Sequence, residues 1–308
     1  MALTIPMRSF DKTDVQVSAL GFGGYHLGLV KSRREAIRLT QMAIDAGITF
    51  LDNAWEYHEG ESEKRMGEAL RGRRDRVFLM TKVCTHGRDA RVAMRQLEES
   101  LQRLRTDYLD LWQVHECVYD SDPGLHYARG GVIEALDLAR RQGKVRFVGF
   151  TGHKSPSIHL EMLRGGYPFD SCQLPLNAFD GTFRSFERDV LPELLRRGIA
   201  PIGMKSLGGT GEPAKKRAIA ARDALRYAMS LPVATTVSGI DSERVLRQNL
   251  AVARGFRPFT GEQMDAVRRK ASQFAADGRF ELYKTSATFE GPIGRAMHGY
   301  PPVEAMSS

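Results

Sequence analysis

Apolar residues in this chain follow two rhythms. Eight short runs rich in Val, Ile, Leu and Phe are continuous rather than alternating, at 19–22, 49–52, 76–82, 108–115, 145–151, 171–174, 199–204 and 233–238. Runs of this length without a polar face predict strands covered on both sides, as in a parallel sheet. Between them lie segments whose apolar positions recur at helical spacing. The first opens on Ser32-Arg-Arg-Glu35, the pattern of a capping box, sets Ile37, Met42 and Ile44 among polar residues, and stops at Gly47. Segments 61–71, 88–104, 131–142, 155–164, 183–197, 213–230 and 242–254 have the same character. Several end in a polar residue followed by glycine, as at Arg71-Gly72, Gln142-Gly143 and Arg197-Gly198, a common helix stop.

Eight strand–helix pairs predict an α/β fold of the (β/α)8 TIM-barrel type. No linker rich in Pro, Gly or Ser divides residues 1–308, so a single domain is expected, with the barrel over about 18–255. Weak alternation over 5–17 predicts an N-terminal hairpin closing the barrel bottom. Residues 256–308 contain one further helix near 261–276 and then a Gly/Pro-bearing tail, expected to fold over the barrel mouth and shape a pocket.

Composition adds mostly exclusions. With 42% hydrophobic and 27% charged residues, the 308-residue chain has the make-up of an ordinary globular protein. The net charge of +8 comes from basic residues scattered over 33–34, 71–76, 140–141, 196–197, 215–217 and 268–270, mostly within helical patterns. Scattered charge of this kind is the solvated face of helices. No zinc-finger, basic-zipper or aromatic RNA-binding pattern accompanies it, so no nucleic-acid partner is expected. The cysteines, Cys84, Cys117 and Cys172, are few, odd in number and far apart, which argues against a disulfide framework or a metal site. The opening MALTIPMRSF lacks the apolar core of a signal peptide, and no run of ~18 apolar residues exists. The expectation is a cytoplasmic protein without membrane contact.

Active sites of such barrels sit at the carboxyl ends of the strands. There the sequence places Asp52, then Asn53-Ala-Trp-Glu-Tyr57, Lys82, His115, Thr151-Gly152-His153, Gln173 with Asn177, and Met204-Lys205. A phenol has an ordinary pKa of ~10, too high for easy proton exchange at neutral pH. A neighbouring ammonium would lower it, and an aspartate would hold that ammonium in place. A histidine can hydrogen-bond a substrate oxygen or share a proton relay. Reduction of a carbonyl needs such a proton donor and a hydride. No side chain supplies hydride, so a nicotinamide cofactor is implied.

These elements resemble the aldo-keto reductase family. Phe50-Leu-Asp-Asn-Ala-Trp-Glu-Tyr57 is similar to the family's Phe-Asp-Thr-Ala-x-x-Tyr element, Thr81-Lys82 and Gln113-Val-His115 to its lysine and histidine elements, and Val17-Ser-Ala-Leu-Gly-Phe-Gly23 to its first strand. Ser238 through Asn249 matches the cofactor helix in length and in its closing asparagine. The resemblance implies that Tyr57 is the general acid, with Asp52, Lys82 and His115 supporting it, in reduction of an aldehyde or ketone to an alcohol. A cofactor-binding regulatory subunit is the alternative, since some relatives serve as partners of ion channels. A missing member of the four would favour it, and none is missing. The partner expected is a small carbonyl substrate; the oligomeric state is unreadable.

By the same resemblance the cofactor lies extended over the mouth without a Rossmann loop, and Gly21-Phe-Gly-Gly24 is not a GxGxxG turn in a βαβ frame. Gly24 and Tyr25 belong to the implied cofactor-binding set. Thr151-Gly152 stands for the family's Ser-Asn pair at the nicotinamide amide, with Gln173 beside it. The hydroxyl survives and the amide does not, with His153 a substitute. Met204 replaces the stacking aromatic, and Lys205-Ser206-Leu207 replaces Ser-Pro-Leu, putting a cation where the pyrophosphate is expected. Ser238, Gly239, Asp241, Arg244, Arg247, Gln248 and Asn249 form the adenosine end. There Asp241 opposes a 2′-phosphate and the two arginines attract one. The family favours NADP(H), with NAD(H) the alternative. Trp55, Glu56, Glu116, Cys117, Tyr119 and the tail over 283–300 are candidates for the pocket wall.

Overall fold

The computed structural model describes residues 4–10, 12–84, 89–286, 289–297, 299 and 301–306. Two antiparallel strands come first, β1 (Met7–Ser9) and β2 (Gln16–Ser18). Eight parallel strands then close into a barrel: β3 (Leu20–Gly23), β4 (Phe50–Asp52), β5 (Phe78–Val83), β6 (Leu109–Val114), β7 (Val145–Thr151), β8 (Ser171–Pro175), β9 (Ala200–Met204) and β10 (Thr235–Gly239). Each pairs with its sequence neighbours, and β10 returns to β3 with Thr236 opposite Leu20. All eight apolar runs of the sequence are strands. Their continuity has a physical cause: one side of each faces the barrel interior and the other faces helices.

The interior holds Phe50, Phe78, Met80, Leu111, Ile202 and Val237. Its bottom is plugged by Phe10, between β1 and β2, whose ring centroid lies 4.8 Å from that of Phe78 and 5.3 Å from that of Phe147. A buried Phe contributes ~2–3 kcal/mol through its area alone. The plug is tied to the barrel by Ser18 and Thr49, each backbone N–H donating to the other's hydroxyl at 2.8 and 2.9 Å. The predicted hairpin is therefore present at the predicted end.

Between β3 and β4 lie α1 (Gly24–Leu29) and α2 (Arg33–Asp45). Half of the box at α2 forms: the Glu35 N–H donates to Ser32 Oγ at 3.3 Å. A full capping box forms elsewhere, at Thr260 and Gln263, opening α13 (Gly261–Ala275). Crossovers α3 (Glu61–Ala69), α4 (Ala90–Leu104), α6 (Val132–Arg141), α7 (Pro156–Arg164) and α12 (Glu243–Arg254) fall where helical spacing placed them. A short α5 (Asp122–Tyr127) precedes α6.

Two helical expectations are corrected. Residues 183–197 contain α8 (Phe186–Asp189) and α9 (Leu191–Arg197), which meet at Val190, and Pro192 lies in the first turn of the second piece, where it has no N–H to lose. Gly198, at φ +66°, closes α9 in the left-handed region as its position after Arg197 predicted. Residues 213–230 split into α10 (Glu212–Lys215) and α11 (Ala221–Ser230). Here Ala218 and Ile219 are drawn into the core, and the chain leaves the helix to reach it.

The three cysteines are free and buried. No helix among the described residues is long and apolar enough to cross a membrane. After α13 the chain folds back as α14 (Leu282–Thr285) and α15 (Pro292–Met297), and a buried cluster anchors it. Lys284 Nζ donates to Asp180 Oδ1 at 2.5 Å, to Glu281 Oε2 at 3.0 Å and to the Phe183 carbonyl at 2.9 Å. Tyr300 of the tail lies outside the described residues.

Candidate active site

The site begins where β4 runs out. Asp52 is its last residue, and the next residues do not leave the sheet at once. The Asn53 and Trp55 N–H groups each donate at 3.1 Å to carbonyls of β5, those of Met80 and Lys82. This zipped extension carries the chain over the mouth to Tyr57, which opens a tight turn, Tyr57–Gly60. The loop is also held from outside: Trp55 Nε1 donates to Glu99 at 2.7 Å, Arg103 donates to the Trp55 carbonyl at 2.9 Å, and His58 Nε2 meets the Tyr25 carbonyl at 2.8 Å.

Lys82, near the end of β5, is 1% exposed. A buried ammonium is tolerable only when paired and hydrogen-bonded. Its nitrogen donates to the Asp52 carboxylate and, at 2.7 Å, to the Asn53 carbonyl. It also lies 5.1 Å from the centroid of the Tyr57 ring. His115, just past β6, meets the Tyr57 ring edge-on at 5.6 Å, and Tyr25 does the same from α1 at 5.4 Å. The four residues drawn from the sequence therefore meet at one point.

The electrostatics differ from expectation in one respect. Asp52 neutralises Lys82, so the ammonium does not depress the phenol. Burial first, then the negative charges of Asp52, Glu56 and Glu116, push the Tyr57 hydroxyl well above its ordinary value. Glu56 and Glu116 flank His115: Glu56 Oε1 lies 2.5 Å from His115 Nδ1, and one ligand atom from each of the three lies within 4.8 Å of the others. Burial and the charge of Glu56 raise the Glu116 carboxyl to about 8. Burial lowers the imidazole of His115, an effect that Glu56 opposes.

Further round the mouth, β7 ends at Thr151-Gly152-His153. A Cβ on residue 152 would stand 2.3 Å from the Cys117 carbonyl oxygen, so the family's amide side chain cannot be accommodated there. His153 is buried edge-on to Tyr283 and Phe289 of the tail, at 5.9 and 5.5 Å, and burial with Lys205 holds its imidazole far below the ordinary value. Its Nε2 and the Oε1 of buried Gln173 have no hydrogen-bond partner among the described residues. Two orphaned polar atoms in a dry wall fit the carboxamide of a nicotinamide, which carries both a donor and an acceptor. Asn177 is committed elsewhere: its amide donates to Glu281 and Tyr283, and its oxygen accepts from Phe179 and Asp180. Cys117 is fully buried, behind Gly152 rather than in the wall.

Met204 ends β9 and Lys205 follows in the left-handed region at φ +57°. That turn aims the ammonium inward, 5.0 Å from the Phe289 ring and 5.4 Å from the Tyr283 ring, where burial lowers it to about 8. Leu207 is half-buried beside it. At the other end, Ser238 accepts from Asn249 at 3.0 Å, and Gly239 leaves space taken by the His26 ring, which would be 2.2 Å from a Cβ. Ser242 caps α12 and donates to Asp241. Arg247 is engaged by Glu243, at 2.9 and 2.5 Å, and Arg38 binds the same glutamate at 2.8 Å. Arg244 and Gln248 are exposed. The tail expected over 283–300 does supply a wall here, through Tyr283 and Phe289; the place of His26 against Gly239 carried no signal in the sequence, because it depends on long-range packing.

Residues 19–223 match the aldo/keto reductase family. Methylglyoxal reductase of Escherichia coli is 32% identical over 181 residues, 58% of this chain and 60% of that protein, so the chain spans about three fifths of that curated relative. Among solved structures, aldo-keto reductase AKR11C1 of Bacillus halodurans in its holo form superposes with a TM-score of 0.74 at 23% identity, over 90% of this chain and 99% of that one. An aldo/keto reductase of Klebsiella pneumoniae in complex with NADP and acetate gives a TM-score of 0.69 at 23% identity, over 88% and 96%.

Proposed function

The chain belongs to the aldo/keto reductase family, and on that premise we propose that it reduces a small aldehyde or ketone to the alcohol with NADPH. The observation that carries this reading is the convergence of Asp52, Tyr57, Lys82 and His115 at one end of the barrel. A bound nicotinamide cofactor supplies the hydride. The chain supplies the proton and the setting. Tyr57 keeps its proton at neutral pH, because every charge near it that raises its pKa is negative, and it releases that proton to the oxygen as negative charge builds there. Lys82, fixed by Asp52, places a positive charge under the resulting phenolate. His115 stands across the oxygen position from Tyr57.

Thr151, Gly152, His153 and Gln173 would take the nicotinamide end. Met204, Lys205 and Leu207, with Gly24 and Tyr25 opposite, would take the middle of the cofactor. Ser238, Gly239, Asp241, Gln248 and Asn249, with Arg244, would take the adenosine end. NADPH rather than NADH is supported by the NADP complex of the Klebsiella relative and by Arg244, an exposed guanidinium with no partner among the described residues. The direct test is loss of NADPH absorbance with a panel of small aldehydes and ketones, methylglyoxal included because a relative bears its name. No oxidation with any of them, at any pH where the protein is folded, would remove the reading.

A further inference from the structure

Three side chains converge beside Tyr57. Glu56 Oε1 lies 2.5 Å from His115 Nδ1, and one ligand atom from each of Glu56, His115 and Glu116 lies within 4.8 Å of the other two. His115 and Glu116 are consecutive, and consecutive side chains of an extended chain point to opposite sides. Glu116 has φ +53°, in the left-handed region, and that turn brings its carboxylate round to the side of the imidazole. The backbone of Gly291, in the tail, hydrogen-bonds this carboxylate. The second oxygen of Glu56 is taken by the Cys84 thiol, which leaves Oε1 toward the histidine.

The approach of Nδ1 to Glu56 makes no hydrogen bond: Nδ1 is buried and has no hydrogen-bond partner among the described residues. The His115 side chain is only 9% exposed, so water does not replace that partner freely. With no proton between them, a nitrogen lone pair and a carboxylate oxygen 2.5 Å apart repel, and the second carboxylate adds to the repulsion. A cation among the three atoms relieves both. An imidazole with two carboxylates suits a divalent transition-metal ion, whereas Mg²⁺ and Ca²⁺ take oxygen ligands. A tetrahedral Zn²⁺ ion, ~2.0–2.2 Å from each donor, keeps its donors roughly 3.3–3.6 Å apart. That spacing lies between the 2.5 Å of the closest pair and the 4.8 Å that bounds all three.

We propose that Glu56, His115 and Glu116 form a binding site for a divalent transition-metal ion of the Zn²⁺ class, and that the bound ion inhibits reduction. The ion takes no part in the chemistry: the hydride comes from the nicotinamide and the proton from Tyr57. Ligation fixes the ring of His115 on the two glutamates, and with it the face that the histidine turns to the substrate oxygen. The site itself stands on the geometry of the three side chains; the inhibition rests on the reductase reading.

Two ammonium groups act on this place. Lys82 faces His115, but its charge is compensated by Asp52. Lys205 faces Glu116 and opposes a second cation there. Removing the charge of Lys205 should therefore strengthen metal binding, whereas removing a ligand should weaken it. Contacts that merely orient the ligands of a metal are worth about 10–100-fold in affinity, so the loss of a ligand should cost at least about tenfold.

The test titrates the full chain, free of cofactor, with Zn²⁺ by calorimetry and with Co²⁺ by its visible absorption, which reports a tetrahedral site. The unaltered protein should bind either ion, and Mg²⁺ or Ca²⁺ at the same concentration should not displace Co²⁺. Glu56→Gln and Glu116→Gln should each weaken Zn²⁺ at least about tenfold, and Lys205→Met should tighten it. Circular dichroism checks that each variant folds; if Glu56→Gln does not, Glu116→Gln and Lys205→Met carry the test. In the unaltered protein NADPH oxidation with the carbonyl panel should fall as the site fills and return on adding EDTA. No bound metal, an affinity for Zn²⁺ that the glutamine variants leave unchanged, or a filled site with an undiminished rate would overturn the inference. If no carbonyl is reduced in the absence of metal, the reductase reading fails, and the titrations still decide whether the site exists.

Discussion

The ammonium of Lys82 lies under the ring of Tyr57, 5.1 Å from its centroid, while the same nitrogen is bound to the Asp52 carboxylate. The two opposite charges cancel in the resting protein, and the phenol stays protonated. The arrangement favours Tyr57 as an acid and leaves it a reluctant base. Reduction should accordingly outpace alcohol oxidation near neutral pH.

Tyr57→Phe removes one hydroxyl and leaves the ring contacts with His115 and Tyr25. A positioned general acid is worth ~10²–10⁴-fold. Steady-state rates should drop by ~2 orders of magnitude or more, with cofactor affinity by fluorescence titration unchanged. A variant that keeps most of its rate would take Tyr57 out of the mechanism.

Lys82→Met strands Asp52 without its cation in a buried place. Loss of one partner of a buried pair costs about 3–5 kcal/mol, which urea unfolding would register. Uncompensated, Asp52 also pushes Tyr57 higher. Alcohol oxidation needs the phenolate, so its rising limb should move to still higher pH. An unchanged pH profile together with unchanged stability would make Lys82 a mere strand-end residue.

The two arginines of α12 should part company. Arg247 is occupied by Glu243, whereas Arg244 is exposed with no partner among the described residues. Arg244→Ala should weaken NADPH about tenfold, the scale of a charge-assisted phosphate contact, and leave NADH alone. Arg247→Ala should change neither dissociation constant by more than about twofold, given how little exposed ion pairs contribute. The reverse ranking would move the 2′-phosphate to Arg247.

Lys284→Met should detach the tail. Asp180 and Glu281 would keep their charges in a place without solvent, at a cost of about 3–5 kcal/mol. Burial already raises the Glu281 carboxyl, and the raised pKa makes its contribution present at low pH and lost as pH rises. The variant should therefore be closer to normal stability at pH 4 to 5 than at pH 8, read by denaturant midpoints. Equal destabilisation at both pH values would show that Glu281 does not titrate with the tail.

Strand positions and the four central residues were legible because each depends on local information. A strand covered on both sides must be apolar throughout, and barrel sites lie at strand ends by topology. Helix continuity was less legible: Pro192 was a visible signal for the break after α8, but nothing local announces that Ala218 and Ile219 are pulled into the core. The pKa direction of Tyr57 was misjudged from sequence because Lys82 and Asp52 were weighed separately, although at contact distance they act as one neutral unit. Lys205 stood in the right stretch of chain, but its left-handed backbone and its place against Phe289 and Tyr283 needed the tail to be in position. Glu56 offered only adjacency to Tyr57.

Closure of the barrel through β10 and β3 sets a timetable for biosynthesis. A growing chain makes Asp52, Tyr57, Lys82 and His115 early, yet β3 keeps one bare edge until residue 239 has left the ribosome, since Thr236 is what pairs with Leu20. An unpaired parallel edge invites other strands. The wall of Tyr283 and Phe289 arrives later again, and Lys284 then fastens it to Asp180, made about a hundred residues before. The nascent protein thus holds its chemistry long before it has a closed sheet, and a closed sheet before it has a finished mouth, so protection from aggregation is needed mainly in the first interval and selectivity emerges only in the last.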